Sequence, residues 1–244
     1  MSLPTRAQRR ELQDQQRAAK KLARMSSQAT ELLLVRHGET DWNLDNRLQG
    51  QSELDPPLNQ TGLRQAQALV EGLRQYKIDA VYSSDLLRTM QTAQVLAAAF
   101  GKQVVPDPDL RERHLGVLQG LTHPQAAAAE PDAYIQLTAN NPDTRLPGGG
   151  ESVNDLAERA GRAISKIANQ HPGQTVLVVV HGGLLHECYR HAAGHAYNGK
   201  MVNGAINRIK VDRNEWVVLQ WGDVTHLKAV GYQKAAHGGS ALSI

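Results

Sequence analysis

The chain has 244 residues, 41% of them hydrophobic, which is long enough for one large domain with a sizeable core. No stretch approaches the roughly 20 apolar residues that a membrane-spanning helix needs, and the single cysteine, Cys188, excludes an internal disulfide. The net charge of +3 is unevenly spread, because residues 1–28 carry seven basic and only two acidic side chains.

The basic segment 1–28 is predicted to be a solvated, partly helical extension. It has no aromatic residues on which bases could stack, and only a weak apolar face. We therefore expect no nucleic-acid partner and no membrane partner. A single cysteine favours a reducing, cytoplasmic location. The oligomeric state stays open, with a homodimer as one option.

Two apolar runs end in a histidine followed by glycine, and they predict two buried parallel strands. The first leads into Arg36-His37-Gly38, and the second is 176–180, which leads into His181-Gly182-Gly183. Apolar spacing also predicts helices from Thr61, over about 85–100 and after Ser152, and strands over 78–82, 104–105, 206–211 and 216–221. This order predicts a three-layer α/β/α sandwich with a mostly parallel central sheet.

Residues 121–150 differ from the rest, because they combine alanines, four prolines and Gly148-Gly149-Gly150. We predict a helical and loop insertion there that covers the active site as a lid. The chain is thus divided into the extension 1–28, a main domain 29–230 that includes this insertion, and a tail 231–244.

The carboxyl edge of the predicted sheet collects the side chains that phosphoryl transfer requires. Ligands bind at this edge in open α/β sheets. His37 is the candidate nucleophile, with Arg36 and Arg88 holding the phosphate oxygens and His181 adding a donor from the opposite side. Glu112 is the candidate general acid, with Glu39 and Glu151 as rival acids. Gly182 is expected to offer its backbone N–H to the anion at a helix start.

Arginines supply the positive charge of this site, and clustered carboxylates or histidines do not. We therefore predict activity without a metal ion and without a cofactor. A separate cluster of His186, Cys188, His191 and His195 could bind zinc, but Gly194 interrupts its helix, and a polar helix face is the favoured interpretation.

Five short motifs in order resemble the histidine phosphatase superfamily, also called phosphoglycerate-mutase-like, over roughly residues 30–225. They are Arg36-His37-Gly38-Glu39-Thr40-Asp41-Trp42-Asn43, Gln49-Gly50, the junction from Tyr82 to Thr89, Leu110-Arg111-Glu112-Arg113-His114-Leu115-Gly116, and the pair Gly148-to-Ser152 with His181-Gly182-Gly183. The last pair resembles the phosphatase branch of the family. The resemblance implies that Asn43, Gln49 and Gly50 contact the transferred phosphate. It also implies that the main domain is catalytic and that a small phosphorylated metabolite is the substrate.

Two alternatives remain beside a metal-independent phosphomonoesterase. A cofactor-dependent phosphoglycerate mutase is suggested by Glu112-Arg113-His114. However, mutases of the family carry a tyrosine where Leu115 stands, and their paired arginines are missing from 121–150. The other alternative is a non-catalytic module that binds phosphoproteins.

Overall fold

A six-stranded sheet forms the centre of the molecule in the computed structural model, which describes residues 6–139 and 141–232, with side chains from residue 14 onward. The strand order is β3-β2-β4-β1-β5-β6. The strands are β1 (Thr30–Arg36), β2 (Ala80–Ser83), β3 (Val104–Pro106), β4 (Thr175–Val180), β5 (Ile206–Asp212) and β6 (Glu215–Asp223). The first four run parallel, and the β5–β6 hairpin pairs antiparallel to β1. The predicted α/β fold with a mostly parallel sheet is confirmed.

Eight helices accompany the sheet within the described residues. They are α1 (Arg6–Leu22), α2 (Asp41–Leu44), α3 (Gln60–Leu73), α4 (Leu87–Ala99), α5 (His123–Ala129), α6 (Pro131–Thr138), α7 (Val153–Gln170) and α8 (Gly182–Ala193). Ser152 caps α7 in a capping box with Asp155, as its sequence predicts. The predicted helix over 85–100 begins two residues later, because Leu86 is extended.

Strand β1 buries both of its faces, which explains its continuous apolar sequence. Leu32 and Leu34 face one core with α7 and α8, whereas Leu33 and Val35 face a second core with α3 and α4. All four side chains are fully buried. Alternate residues of a strand point to opposite faces, so helices must cover both sides of this one. The three layers follow from this double burial.

The insertion 121–150 contains α5 and α6 and has a small core of its own, formed with neighbouring residues. Its buried side chains are Leu48, Leu115, Leu118, Ala126, Ala133, Leu137 and Leu146. At the start of the insertion, the backbone N–H of Leu48 donates to the Leu121 carbonyl at 2.9 Å, and Arg47 and Thr122 pair in an isolated β-bridge. This junction lies directly after α2.

The N-terminal extension is helical over Arg6–Leu22 and contacts the edge strand β6. Lys21 Nζ lies 3.2 Å from the Glu215 carboxylate, and Asp14 lies 2.9 Å from His195 Nε2. The predicted tail 231–244 falls outside the described residues except for Gly231 and Tyr232. Among the helices that the structure describes, none combines the length and the apolar character needed to cross a membrane.

Candidate active site

The two histidines that follow β1 and β4 meet at one edge of the sheet. β1 and β4 pair in register, with Arg36 opposite Val180, and the backbone N–H of His37 donates to the Val180 carbonyl at 3.0 Å. The residues that follow the two strands, His37 and His181, therefore lie side by side at the same edge of the sheet. The ring centroids of His37 and His181 lie 5.3 Å apart in an edge-to-face arrangement.

A narrow cleft opens at this edge of the sheet. Its lining residues are Arg36, His37, Trp42, Asn43, Asn46, Arg47, Gln49, Gly50, Arg88 and Glu112. Seven of the nine predicted site residues are among them, while His181 is fully buried beside His37 and Gly182 does not line the cleft. Within the described residues, none of the lining comes from the insertion 121–150. A larger cavity of about 880 Å³, between α1, α8 and β6, contains none of the nine.

Arg36 and Arg88 are the buried cations of the cleft. Arg36 donates through Nη1 to the Met201 carbonyl, and Arg88 donates through Nη2 to the Gly50 carbonyl at 2.8 Å. The Nε atoms of both arginines and Nδ1 of His181 are buried and have no hydrogen-bond partner among the described residues. Burial lowers the pKa of each guanidinium to about 10, so both stay charged at neutral pH. Buried donors of this kind require an acceptor.

His37 is held in one tautomer by its neighbour. Its Nδ1 lies 2.7 Å from the carbonyl oxygen of Gly38, which can only accept, so Nδ1 carries the proton. Burial lowers the pKa of His37 well below its ordinary value, and the charges of Arg88 and Arg36 lower it further. The neutral ring therefore keeps a free lone pair on Nε2 at physiological pH.

His181 is held by Ser84, whose hydroxyl lies 2.9 Å from His181 Nε2. Burial, together with the nearby Arg88, lowers the pKa of His181 well below its ordinary range. This ring is therefore neutral as well, and it carries one N–H.

Glu112 is the carboxylate of the cleft. Its Oε1 accepts from the backbone N–H of Arg113 and its Oε2 from that of Gly183, each at 2.9 Å. At the start of α8 the N–H of Gly183 thus binds this carboxylate, and the expected contact between the Gly182 N–H and an anion stays a prediction. The rival acids lie elsewhere: Glu39 accepts from Asn59 and Glu151 pairs with Arg159, and neither lines the cleft.

The loop after β1 places two amides at the cleft. Asn43 closes a capping box with Thr40, and Oε1 of Gln49 accepts from the Thr40 hydroxyl. Both amide oxygens are thus engaged, while the amide N–H groups of Asn43 and Gln49 make no hydrogen bond in the described part of the chain. Gly50 has a φ of +52°, which favours glycine, and its carbonyl accepts from Arg88.

Besides Ser84, which holds His181, two further residues that contact the site were not predicted from the sequence. Asp55 contacts Arg88 at 3.3 Å, and its only sequence signal is an acid that precedes Pro56-Pro57 in a loop. Buried Asn203 donates through Nδ2 to the carbonyl of His37 at 3.0 Å. Asn203 precedes a glycine, and this pair indicates a turn. It does not indicate a contact with His37, which lies 166 residues away in the sequence.

The histidine and cysteine side chains proposed as a zinc cluster on and after α8 do not converge on one point. His191 stacks against Trp216, His195 pairs with Asp14, and burial raises the pKa of Cys188. Over the described ranges, no group of three or more His, Cys, Asp or Glu side chains is arranged to hold a metal ion.

The comparisons with known proteins agree with this geometry. A family model for the histidine phosphatase superfamily (branch 1) matches residues 32–224. The chain belongs to this superfamily.

Relatives of this histidine phosphatase superfamily member carry both phosphatase and mutase names. A "metal-independent phosphoserine phosphatase" of Arabidopsis thaliana is 42% identical over 220 residues, covering 89% of this chain and 92% of the relative. A "probable phosphoglycerate mutase GpmB" of Cronobacter sakazakii is 35% identical and covers 82% of this chain and 95% of the relative.

A solved mycobacterial glucosyl-3-phosphoglycerate phosphatase is 32% identical, with a TM-score of 0.70, and covers 80% of this chain and 99% of that one. Together these relatives favour a small-metabolite phosphatase over a mutase or a binding module.

Proposed function

We propose that the protein is a metal-independent phosphoric monoester hydrolase that acts on a small phosphorylated metabolite through a phosphohistidine at His37. The observation that carries the proposal is the set of buried, unpartnered donors around His37, namely Nε of Arg36, Nε of Arg88 and Nδ1 of His181. A phosphoryl group is a triple acceptor with negative charge, and it satisfies donors of this kind. The cleft therefore suits a phosphate monoester.

The first step forms a bond between Nε2 of His37 and phosphorus while the ester P–O bond breaks. The lone pair on Nε2 is free because Nδ1–H is bound to the Gly38 carbonyl. Charge spreads over the equatorial phosphoryl oxygens in the transition state, where Arg36 and Arg88 stabilise it. With the Ser84 hydroxyl donating to Nε2 of His181, the Nδ1–H of that ring becomes a further donor.

Glu112 supplies and removes the protons. Its carboxyl gives a proton to the departing alkoxide, and the resulting carboxylate then takes a proton from water as the water oxygen attacks phosphorus. The P–N bond breaks and inorganic phosphate leaves. Two backbone N–H groups hold Glu112 in one orientation for both steps.

The test is hydrolysis of p-nitrophenyl phosphate and O-phosphoserine in EDTA by the wild type, His37→Gln and Glu112→Gln. We expect His37→Gln to lose at least about a thousandfold in kcat, because the nucleophile is gone. A phosphoenzyme stable in alkali and labile in acid should be trapped with wild type only. Activity of His37→Gln at the wild-type level, or loss of wild-type activity in EDTA, would refute the proposal.

The same assay separates the alternatives. Turnover that depends on a bisphosphoglycerate primer would favour the mutase, and phosphate binding without turnover would favour the non-catalytic module. Several further expectations stay predictions. They are the division of the chain at residues 28 and 230, the cytoplasmic location, the absence of a cofactor and of nucleic-acid and membrane partners, and the homodimer. Light scattering of the purified chain tests the last of these.

A further inference from the structure

The segment that carries Glu112 has no regular secondary structure. Residues 111–115, here called the acid loop, lie between two single turns of 3₁₀ helix, Pro108–Leu110 and Gly116–Leu118. Neither a helix nor a sheet ladder therefore fixes its backbone. Side chains from other elements must hold it, and the Glu112 carbonyl accepts from two of them, Nε2 of Gln51 at 2.8 Å and Nη2 of Arg159 at 3.2 Å.

The guanidinium of Arg159 binds backbone carbonyls at Glu112 and just before it. It comes from the second turn of α7 and its side chain is only 12% exposed. Its Nη1 donates to the carbonyls of Asp109 at 2.9 Å and Arg111 at 2.8 Å, in addition to the Nη2 bond to Glu112. One planar fork thus binds three carbonyls within four residues, which fixes both their position and their direction.

Glu151 holds Arg159 and the far end of the acid loop together. Its two carboxylate oxygens accept from Nε and Nη2 of Arg159, each at 2.8 Å. The same carboxylate accepts from the backbone N–H of His114 at 2.8 Å. Its backbone N–H donates to the His114 carbonyl at 2.8 Å, and its own carbonyl accepts from Nε of Arg113 at 2.9 Å. Both flanks of Glu112 are therefore tied to one half-buried ion pair.

We propose that the Arg159–Glu151 pair is a positioning device that sets the reach and direction of the Glu112 carboxyl toward the leaving group. The inference rests on the proposed function, since it needs Glu112 as the acid. Neither partner lines the cleft, so the pair acts through the acid-loop backbone and not on the phosphate. Proton transfer requires hydrogen-bond distance, and small displacements of a catalytic group are costly.

The dependence of rate on the leaving group separates positioning of the acid from general support of the fold. 2,4-Dinitrophenolate departs without a proton, whereas the alkoxide of O-phosphoserine or glycerol phosphate needs one. The parameter is kcat/KM, because it reports the steps up to release of the alcohol and excludes the later hydrolysis of the phosphoenzyme. The variants are Arg159→Gln, Arg159→Lys and Glu151→Gln.

For Arg159→Gln we expect kcat/KM to fall about 10- to 100-fold on alkyl phosphates, part of the roughly 10²- to 10⁴-fold that a general acid supplies, and less than about threefold on the dinitrophenyl ester. Arg159→Lys and Glu151→Gln should be intermediate, and the inhibition constant of inorganic phosphate should stay unchanged. The matched control is Arg162→Gln, on the same helix, where an exposed arginine has exposed Glu158 as its ion-pair partner. It should match wild type on both substrates.

Equal losses on both substrates, or a weakened inhibition by phosphate, would reduce Arg159 to a structural support and overturn the inference. No loss on either substrate would overturn it as well. A wild type that hydrolyses neither ester would instead refute the proposed function. Circular dichroism of each variant identifies misfolding. If Arg159→Gln does not fold, the comparison of kcat/KM on the two substrates is made with Arg159→Lys, which keeps the charge.

Discussion

The carboxylate of Asp55 lies 3.3 Å from Nη1 of Arg88 and at the same time accepts a hydrogen bond from the backbone N–H of Leu87 at 2.6 Å. One side chain thus fixes the first turn of α4 and the guanidinium that this turn carries. Arg88 is 1% exposed, so its orientation depends on the few groups that touch it. Asp55 itself has a φ of +33°, a region that asparagine tolerates better than most residues.

The variant Asp55→Asn should keep the fold and weaken phosphate binding. Its amide oxygen can still accept from Leu87, but the counter-charge to Arg88 is lost. We expect kcat/KM to fall about tenfold, since a hydrogen bond to a charged group is worth roughly 1.5–3 kcal/mol and Asp55 is partly exposed. Steady-state kinetics and inhibition by phosphate measure this. Glu53→Gln, in the same loop, is the control, and an unchanged Asp55→Asn would contradict the assigned role.

Asn203 should matter for both stability and turnover. Its Nδ2 donates to the carbonyls of His37 and Gly38. An aspartate at this position would place a carboxylate oxygen, which can only accept, next to these two carbonyl oxygens. We expect Asn203→Asp to lower the free energy of unfolding by about 1–3 kcal/mol and to lower kcat. Urea unfolding and kinetics measure the two effects.

Asn207→Asp is the matched control for this prediction, because Asn207 is a buried amide that binds the Leu34 carbonyl away from the cleft. Asn207→Asp should cost stability and leave the turnover of the folded fraction intact. A similar loss of turnover in both variants would show that Asn203 has no special role beside His37.

Stability should fall as the solution is acidified from about pH 6.5 toward pH 4, in part because of His186. Burial, and secondarily Arg36, lower the pKa of His186 to about 4, whereas the unfolded chain protonates it near 6.5. The unfolded state therefore binds more protons in this window, and each such group costs up to about 1.4 kcal/mol per pH unit. Urea unfolding at pH 7, 6 and 5 should give a shallower slope for His186→Gln than for wild type. Identical slopes would contradict the prediction.

Discrimination between substrates should depend on α2 and the turn after it. The lining residues that the proposed mechanism does not assign to the phosphate are Trp42, Asn46 and Arg47. In the described part of the chain, the hydrogen bonds of the Arg47 guanidinium use Nε, to Asp45, and Nη1, to Gly120. We expect Arg47→Gln to lower kcat/KM for O-phosphoserine about tenfold relative to O-phosphoethanolamine, which lacks the carboxylate. Equal effects on both compounds would exclude a carboxylate contact, and Arg64→Gln on α3 serves as control.

Much of this architecture could be predicted because it depends on local pattern. The β1 and β4 sequences are apolar on both faces, and the histidines that end them had to reach the same edge of a parallel sheet. The choice of acid could not be made with the same certainty. Each of Glu39, Glu112 and Glu151 belongs to a motif of the site, so the sequence offers three candidate acids. The structure decides between them, because Glu39 accepts from Asn59 and Glu151 pairs with Arg159.

The residues that escaped prediction act across long separations in the chain. Ser84 holds His181 over 97 positions, and Asn203 holds His37 over 166. Neither has a spacing or an amphipathic pattern that points to its partner. The insertion 121–150 was predicted to be helical and to cover the active site; it pairs with Arg47 and Leu48 beside the cleft, but none of its described residues line the cleft.

The small core of that insertion has a consequence for where a substitution within it acts. Its buried leucines and alanines pack mainly with one another, and the two large cores that fix β1 and β4 share none of them. A change in α5 or α6 is therefore expected to act first on this small core, which reaches the active site through Leu48 and Leu115, and not on the two cores that align the imidazoles.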